Sequence, residues 1–381
     1  MKKLVQGILL ASAAITISVP ASSEEVLNVS TAGSENMVEY ITDYLGPLFE
    51  AQNPGVKVRA VGTGPGDAGS HKIFEKLDAQ ANAGNETWDI DVAIVHQKMA
   101  GDMADAGLLS KYRGDISTGE MITRDTAKMA LGVNVDGYVM PMFHSQTALA
   151  YNPDIIANPP SSFDELRQFT AENPGVFGYN GIKNGMSGLA FVVGWIYAYG
   201  DNPDKIANGP YDPSMKDQWG TVLSDLKEFN ENVTFTPGNA GTLDMLNRGE
   251  IAMGPVWVDM FYTWQADGRV NPAIKLNLIE PGLPGQPMYY IVPKKAAHGD
   301  LARKFIELAT SPAVQAEGIV KRFNWYPGID AEHVQPELST EDWDKLFVDV
   351  TPQNLAERGK PFPIAPYFDD IKEAYEEQVA N

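Results

Sequence analysis

The sequence predicts an α/β fold with two lobes, each built on a mostly parallel central sheet flanked by helices. The chain has 381 residues, more than a single hydrophobic core usually supports. Strand and helix patterns alternate along it, which is typical of parallel sheets. One long segment, residues 138–152, is apolar at both ends and polar in the middle. We interpret it as a crossing from one lobe to the other.

Residues 1–23 have the pattern of a secretory signal peptide. Lys2 and Lys3 precede an apolar run at residues 8–19, and small residues follow up to Ser23. The run is well short of the ~20 residues that span a bilayer, so a membrane anchor is the weaker interpretation. The sequence contains no cysteine, which excludes a lipid-bearing cysteine and a disulfide framework. We therefore expect an exported protein, cut near Ser23, without stable membrane insertion.

The chain is strongly acidic, with a formal net charge of −21 at pH 7. Removing residues 1–23 takes away two lysines and no acids, so the mature chain is more negative still. Such a surface repels phosphate backbones and anionic lipids, and we expect no nucleic-acid partner. The charge of the exterior does not fix the charge inside a cleft.

A repeated strand and helix pattern opens the mature chain. Residues 26–30 alternate as a strand, residues 37–49 recur at helical spacing, and residues 56–61 form a second predicted strand. A glycine-containing loop at residues 62–70 leads into the next helix, and a third strand is predicted at residues 88–95. This order favours a parallel sheet whose strand ends meet at one edge.

The glycine-containing loop does not match a nucleotide site. Asp67 stands where the dinucleotide pattern requires glycine, and Pro65 removes an amide that would face a phosphate. The loop nonetheless follows a strand, and open parallel sheets bind ligands beyond the carboxyl ends of their strands. His96 and Gln97 follow the third predicted strand in the same way.

The polar middle of residues 138–152 consists of Phe143, His144, Ser145 and Gln146. We predict a ligand cleft at this point of the crossing, with an ordinary strand carrying a polar kink as the alternative. A second crossing is predicted at residues 288–293, after a long turn at residues 281–287, and a third near Trp325. Three hinge segments would then join the lobes.

Beyond the first crossing, the pattern starts again. Capping residues at 161–166 begin a helix, residues 174–179 are a predicted strand, and an aromatic helix carries Trp195. Residues 250–253 form another predicted strand, followed by a turn and a helix after Trp257. Aromatic residues on helices are most often core residues. Trp257, directly after a glycine and a proline, is the better candidate for a cleft.

No catalytic constellation is recognisable in the sequence. The histidines are scattered and cysteine is absent, so we expect no metal site, no cofactor and no thiol chemistry. Gly185 to Gly188 lacks the second glycine of a nucleophile elbow. Carboxylates such as Glu35, Asp67 and Asp259 are plentiful but cannot be paired from sequence, so a secreted carbohydrate-active enzyme with a carboxylate pair stays as an alternative. The histidines are His71, His96, His144, His298 and His333.

Four segments resemble the periplasmic solute-binding proteins of ABC importers, and specifically extracellular solute-binding family 1, the class like maltose-binding protein. They are residues 140–152 with 158–166, residues 249–257, residues 302–311 and residues 362–367. Each is weak alone, but their order and spacing together are fairly specific. The resemblance covers essentially the whole mature chain.

This resemblance implies a type II periplasmic-binding-protein fold, with two discontinuous lobes joined by hinge crossovers. The N-terminal lobe would take residues 24–143 and 290–326, and the C-terminal lobe residues 144–289 and 327–381. Closure around one solute would present both lobes to the permease subunits of an importer. A monomer in the periplasm, without enzymatic activity, is implied.

The resemblance also implies where a ligand would bind. The predicted binding residues are Ser34, Glu35, Asp67, His96, Gln97, His144, Ser145, Asn180, Asn184, Trp257, Tyr290 and Trp325. Histidine and glutamine replace the acids and tryptophans that grip maltose, so we expect another small polar solute, such as a sugar, a polyol or a related metabolite. A polyamine, a thiamine-like compound and a ferric ligand are alternatives, the last because Tyr289 and Tyr290 are adjacent.

Overall fold

A computed structural model describes residues 24–33, 35–183 and 185–380 of the chain. The predicted signal peptide at residues 1–23 and two predicted binding residues, Ser34 and Asn184, lie outside the described residues. No helix within the described ranges has the length and apolar character needed to cross a membrane.

The strands are β1 Glu25–Ala32, β2 Val56–Gly64, β3 Val92–His96, β4 Met129–Ala130, β5 Val133–Asn134, β6 Val139–Tyr151, β7 Gly178–Tyr179, β8 Thr234–Phe235, β9 Met253–Trp257, β10 Lys275–Asn277, β11 Leu283–Ile291, β12 Tyr326–Pro327 and β13 Gly359–Lys360. The α-helices are α1 Glu35–Glu39, α2 Gly46–Gln52, α3 Gly66–Asn82, α4 Gln97–Asp105, α5 Phe163–Glu172, α6 Met186–Tyr199, α7 Pro203–Asn208, α8 Gly220–Phe229, α9 Asn239–Arg248, α10 Val258–Ala266, α11 Gly299–Ala309, α12 Pro312–Val314, α13 Ala331–Val334, α14 Thr340–Lys345, α15 Pro352–Arg358 and α16 Ala365–Gln378. Two π-helical segments, Tyr40–Leu45 and Gln315–Lys321, follow α1 and α12.

The largest sheet in the described part of the chain has nine strands and a mixed topology. In the first lobe, β2, β1 and β3 are parallel neighbours, and β11 pairs antiparallel with β3. The long strand β6 pairs with β11 and β12 along its first half, and with β9 and β10 along its second half. Since β6 changes partners at its middle, it passes from one lobe into the other at residues 144–147.

Two separate hydrophobic cores confirm the two-lobed α/β architecture. The first core takes buried side chains between residues 27 and 143 and between residues 288 and 346. The second takes those between residues 148 and 283 and between residues 350 and 379, with Leu131 added from the first half of the chain. Ile329, Val334 and Leu346 belong to the first core, although the sequence analysis assigns residues 327–381 to the second lobe. The lobe boundaries as a whole stay a prediction.

Most predicted elements are present, although their bounds differ and one prediction is wrong. The predicted helix start at residues 161–166 is α5, whose cap Ser162 accepts a hydrogen bond from the amide of Glu165. The predicted long turn at residues 281–287 is wrong, because most of it is the start of β11. Pairing with β6 and β13 overrides the local turn preference of Pro284 and Pro287. The strand predicted at residues 250–253 instead runs from Met253 to Trp257.

Candidate functional site

A cavity lies between the two lobes and is bounded at its base by the hinge strands. It holds about 600 Å³ of empty space, part of it open to solvent. The first lobe contributes Gly33, Asn36, Met37, Pro65, Gly66 and His96; the hinge strands contribute Phe143, Ser145, Gln286 and Met288; the second lobe contributes Met186, Asn239, Trp257, Asp259 and Met260. We call this cavity the cleft.

Strand ends and helix starts converge on the cleft. In the first lobe, β1, β2 and β3 end there, and α1, α3 and α4 begin close by. In the second lobe, β9 ends at Trp257, α10 begins at the next residue, and α6 begins at Met186. Helix N-termini expose unpaired backbone amides, and open parallel sheets bind ligands beyond the carboxyl ends of their strands, so this edge is suited to polar ligands.

The alternation of a β-strand decides which hinge residues face the cleft. Phe143 and Ser145 line it, whereas His144 lines a second cavity behind the hinge, together with Arg124 and Tyr326. Burial lowers the pKa of His144 well below its usual value, and the nearby Arg124 lowers it further. His144 is therefore a neutral side chain on the opposite face of β6 from the cleft.

His96, the last residue of β3, lies in the wall of the cleft. Its side chain is buried, and its Nδ1 lies 3.0 Å from the hydroxyl of Ser70 on α3. The same hydroxyl accepts a hydrogen bond of 3.0 Å from the backbone amide of His96. Burial lowers the pKa of His96, although the charge of Asp67 opposes this effect. The ring is thus a fixed, neutral group with one nitrogen left for a ligand.

Asp259 supplies the carboxylate of the cleft. It lies in the first turn of α10, is partly exposed to the cavity, and accepts a hydrogen bond from the hydroxyl of Ser145. Desolvation raises its pKa to about 6, while the bonds from Ser145 and from the backbone amides of Asp259 and Met260 act in the opposite direction. Near neutral pH this group is ionised and sits at the meeting point of the hinge and the second lobe.

Two aromatic residues, Phe143 and Trp257, form apolar walls. Trp325 packs behind Phe143, since its ring centroid lies 4.4 Å from that of Phe143 and 4.5 Å from that of Phe323. Its indole N–H donates to the backbone carbonyl of Asp259 at 3.1 Å and to Thr263 Oγ1 at 3.0 Å. Trp325 does not line the cleft, but it holds the start of α10 against the hinge.

Other predicted binding residues lie away from the cavity wall. Glu35 is exposed at the start of α1, and Asp67 lines a groove outside the cleft with Lys98 and Asp369. Gln97 is buried, and its side chain bonds to the hydroxyl of Tyr289. Their roles in binding stay a prediction.

Asn180 and Tyr290 have structural surroundings that explain their burial. The Asn180 amide donates to the carbonyls of Lys183 at 2.6 Å and Gly185 at 3.2 Å, and its oxygen accepts from Ser187. It therefore shapes the loop before α6. Tyr290 lies wholly in the first core, where it pairs with Ile94 of β3, two residues further along β11 than Met288. A ligand-binding role for either residue stays a prediction.

Much of the cleft lining is not predicted from the sequence. The unpredicted residues are Asn36, Asn239 and Gln286 and the four methionines Met37, Met186, Met260 and Met288. From the sequence, Asp259 is only one of many carboxylates that cannot be paired. Asp259 follows Trp257 by two residues at a helix start, which is the one local signal that could have identified it. The methionines come from four distant parts of the chain and carry no such signal.

The described residues contain no group of three or more His, Cys, Asp or Glu side chains that could hold a metal ion. The cleft itself presents one carboxylate, one imidazole, three carboxamides and one hydroxyl beside its aromatic and thioether groups. Such a set can hydrogen-bond and enclose a small molecule.

The sequence profile of the bacterial extracellular solute-binding proteins matches residues 48–345. The chain belongs to this family. Its members are binding proteins that serve ABC transporters. A search among curated protein sequences gave no match for this solute-binding protein.

Solved structures with the same fold bind unlike ligands. A structure of the Atu4243–GABA receptor is 21% identical, with a TM-score of 0.67, and the match covers 93% of this chain and 97% of that chain. PotD, the spermidine/putrescine ABC transporter substrate-binding protein of Streptococcus pneumoniae, is 16% identical, with a TM-score of 0.64 and coverage of 93% and 99%. Iron-bound HitA of Pseudomonas aeruginosa is 16% identical, with a TM-score of 0.62 and coverage of 92% and 99%. At these identities the likeness establishes the fold alone.

Proposed function

We propose that this solute-binding protein captures a small polar solute in the cleft by closing its two lobes, and delivers the solute to the permease subunits of an ABC importer. The observation that carries the proposal is that both lobes and the hinge supply side chains to one cavity. A ligand shifts the balance between open and closed forms only when it binds the closed form more tightly. Contacts from both lobes provide this difference.

The sequence predicts a sugar, a polyol or a related metabolite as the solute. Trp257 offers a flat apolar face, and Asn36, Asn239 and Gln286 offer amide groups for hydroxyls. The Asn239 oxygen already accepts from the amide and hydroxyl of Ser187, at 3.1 and 2.7 Å, so its NH2 group is the part left for a ligand. Two structural relatives named for γ-aminobutyrate and for spermidine/putrescine add amines as a second class.

The enzyme and ferric alternatives have less support. A glycosidase needs two facing carboxyl groups, whereas Asp259 is the one carboxyl among the described residues of the cleft wall. The paired tyrosines do not converge on a site, since Tyr289 donates its hydroxyl to the carbonyl of Thr126 while Tyr290 lies in the first core. We therefore propose a binding protein without catalytic activity, working as a monomer in the periplasm.

A thermal-shift screen tests this function directly. The purified mature chain is heated with sugars, polyols, phosphorylated glycerols and amines, because a ligand that binds only the native state raises the melting temperature. Any compound that raises it is then examined by small-angle scattering, where lobe closure is expected to lower the radius of gyration. Turnover of a bound sugar would contradict the proposal, and so would saturable binding without any closure.

A further inference from the structure

The cleft has an unbalanced charge. Among the described residues of its wall, His96 and Asp259 are the only titratable ones. Burial keeps the His96 ring neutral near neutral pH by lowering its pKa. Asp259 therefore gives the interior of the cleft a net negative charge.

No cationic side chain in the described ranges forms an ion pair with Asp259. Its polar partners are the Ser145 hydroxyl and backbone amides of its own helix turn, all of them neutral donors. A carboxylate held in a confined site without a counter-charge is unfavourable, and a cation that enters the site stabilises it. This stabilisation is larger when the lobes close, because water is then excluded and the charges interact more strongly.

The walls around this carboxylate also suit a cation that carries carbon. Trp257 and Phe143 present aromatic faces, which attract ammonium groups electrostatically. Met186, Met260 and Met288 supply flexible, polarisable surfaces that adapt to alkyl chains. A sugar has hydroxyls over most of its surface and would leave many of them against these thioethers.

We propose that the solute is a small organic cation, whose ammonium group pairs with Asp259 while its carbon skeleton lies against Trp257 and Phe143. This inference rests on the proposed function, because it names the chemical class of the solute captured in the same cleft. The capture mechanism does not depend on it, since a neutral solute could close the lobes as well.

Calorimetric titration of the wild-type protein and of Asp259→Asn tests the assignment. The cationic probes are putrescine, choline and spermidine, and the neutral probes are glycerol, glucose and the diol analogue of putrescine. At least one cationic probe is expected to bind the wild type, and Asp259→Asn is expected to weaken it by roughly 30-fold or more, because truncating a desolvated charge pair is costly. Asp267→Asn, an exposed acid at the end of the same helix, is the matched control and should leave the affinity unchanged.

A second measurement needs no variant and so does not depend on how Asp259→Asn folds. The affinity of the wild type for the cation is expected to fall about tenfold per pH unit below pH 6, as Asp259 becomes protonated. Tyr326 lines the cavity behind the hinge and interacts electrostatically with Asp259, Tyr262 and Asp349, while His96 faces the cleft from the first lobe. The tyrosines stay neutral because burial raises their pKa values.

The outcomes separate the two proposals. If only neutral probes bind, or if a cation binds the wild type and Asp259→Asn equally well, the cation assignment is overturned and capture by closure stands. If no probe of either kind binds or closes the lobes, the proposed function falls together with it.

Discussion

The hydroxyl of Ser145 donates a hydrogen bond to the carboxylate of Asp259. Ser145 belongs to the hinge strand β6, and Asp259 to the first turn of α10 in the second lobe. The bond therefore joins the segment about which the lobes would move to the charged group that would meet the solute. It fixes the carboxylate towards the base of the cleft, where both lobes can contact a ligand.

Ser145→Ala should raise the pKa of Asp259 above its present value of about 6, because the hydroxyl favours the ionised form. The shift is expected to be about 0.5–1 pH unit, typical of a lost hydrogen bond to a carboxylate. The midpoint of the pH dependence of cation binding reports it. Ser145→Thr retains a hydroxyl and should restore the wild-type midpoint. An unchanged midpoint in Ser145→Ala would mean that the bond does not act on the charge.

The contribution of Asp259 to the stability of the ligand-free protein should fall as pH rises from about 4 to about 6. Asp259 has a folded-state pKa of about 6 and an unfolded-state value near 3.8, so the folded state holds the proton more tightly between these values. The contribution is fully present below the lower value and is lost as pH rises through the higher one.

Melting curves of the wild type and of Asp259→Asn across this pH range check that sign. Subtracting the melting temperature of the variant from that of the wild type cancels the effects of groups that titrate alike in both proteins. The melting temperature of the wild type should fall by roughly 2–5 °C relative to that of the variant as pH rises from about 4 to about 7. A difference that is flat with pH would show that Asp259 is not desolvated in the free protein.

The architecture could be predicted from the sequence because local residue patterns mark its strands and helices. Alternating residues marked β1, helical spacing marked the segment from α1 to α2, and the long apolar run with a polar middle marked β6 as the crossing. These signals depend on neighbours within a few residues, so a single sequence displays them.

The cleft could be predicted only in part, because its lining is set by pairings between distant segments. The alternation along β6 separates Phe143 and Ser145 from His144, but only the partners β11 and β12 decide which set faces the solute. Met288 lines the cleft opposite His96, while Tyr290, two residues further along β11, pairs with Ile94 inside the first core. No local pattern shows where along a strand the cleft ends and the core begins.

Trp257→Ala should weaken solute binding, whereas His144→Ala should leave it almost unchanged. Trp257 lines the cleft, so its truncation should weaken binding of the solute by roughly 10–100-fold, as for other aromatic anchors. His144 lines the cavity behind the hinge, so the solute affinity of His144→Ala should stay within about twofold of that of the wild type. The ligand-induced thermal shift should therefore persist in this variant. The result expected from the sequence, loss of binding in both variants, would place His144 in contact with the solute after all.

Lys98 and Asp369 form an ion pair between the lobes at the outer edge of the cleft, with Nζ and Oδ2 3.3 Å apart. Lys98 lies on α4 beside the first core, and Asp369 lies on α16 beside the second. Asp369→Asn should therefore favour the open form and weaken solute affinity by about two- to fivefold, the range of an exposed pair. Lys98 keeps its bond of 2.9 Å to Asp102 in this variant, so α4 is not disturbed.

Titration at low and high salt tests this contact between the lobes. The difference in affinity between wild type and Asp369→Asn should shrink towards zero in about 1 M salt, because exposed charges are then screened. Asp370→Asn is the matched control, since Asp370 accepts a bond of 2.9 Å from Tyr211 within the second lobe. Equal effects of the two substitutions on affinity would show that Lys98 contributes nothing to closure. A salt-dependent loss of affinity confined to Asp369→Asn would identify the ion pair of Lys98 and Asp369 as part of the closed form.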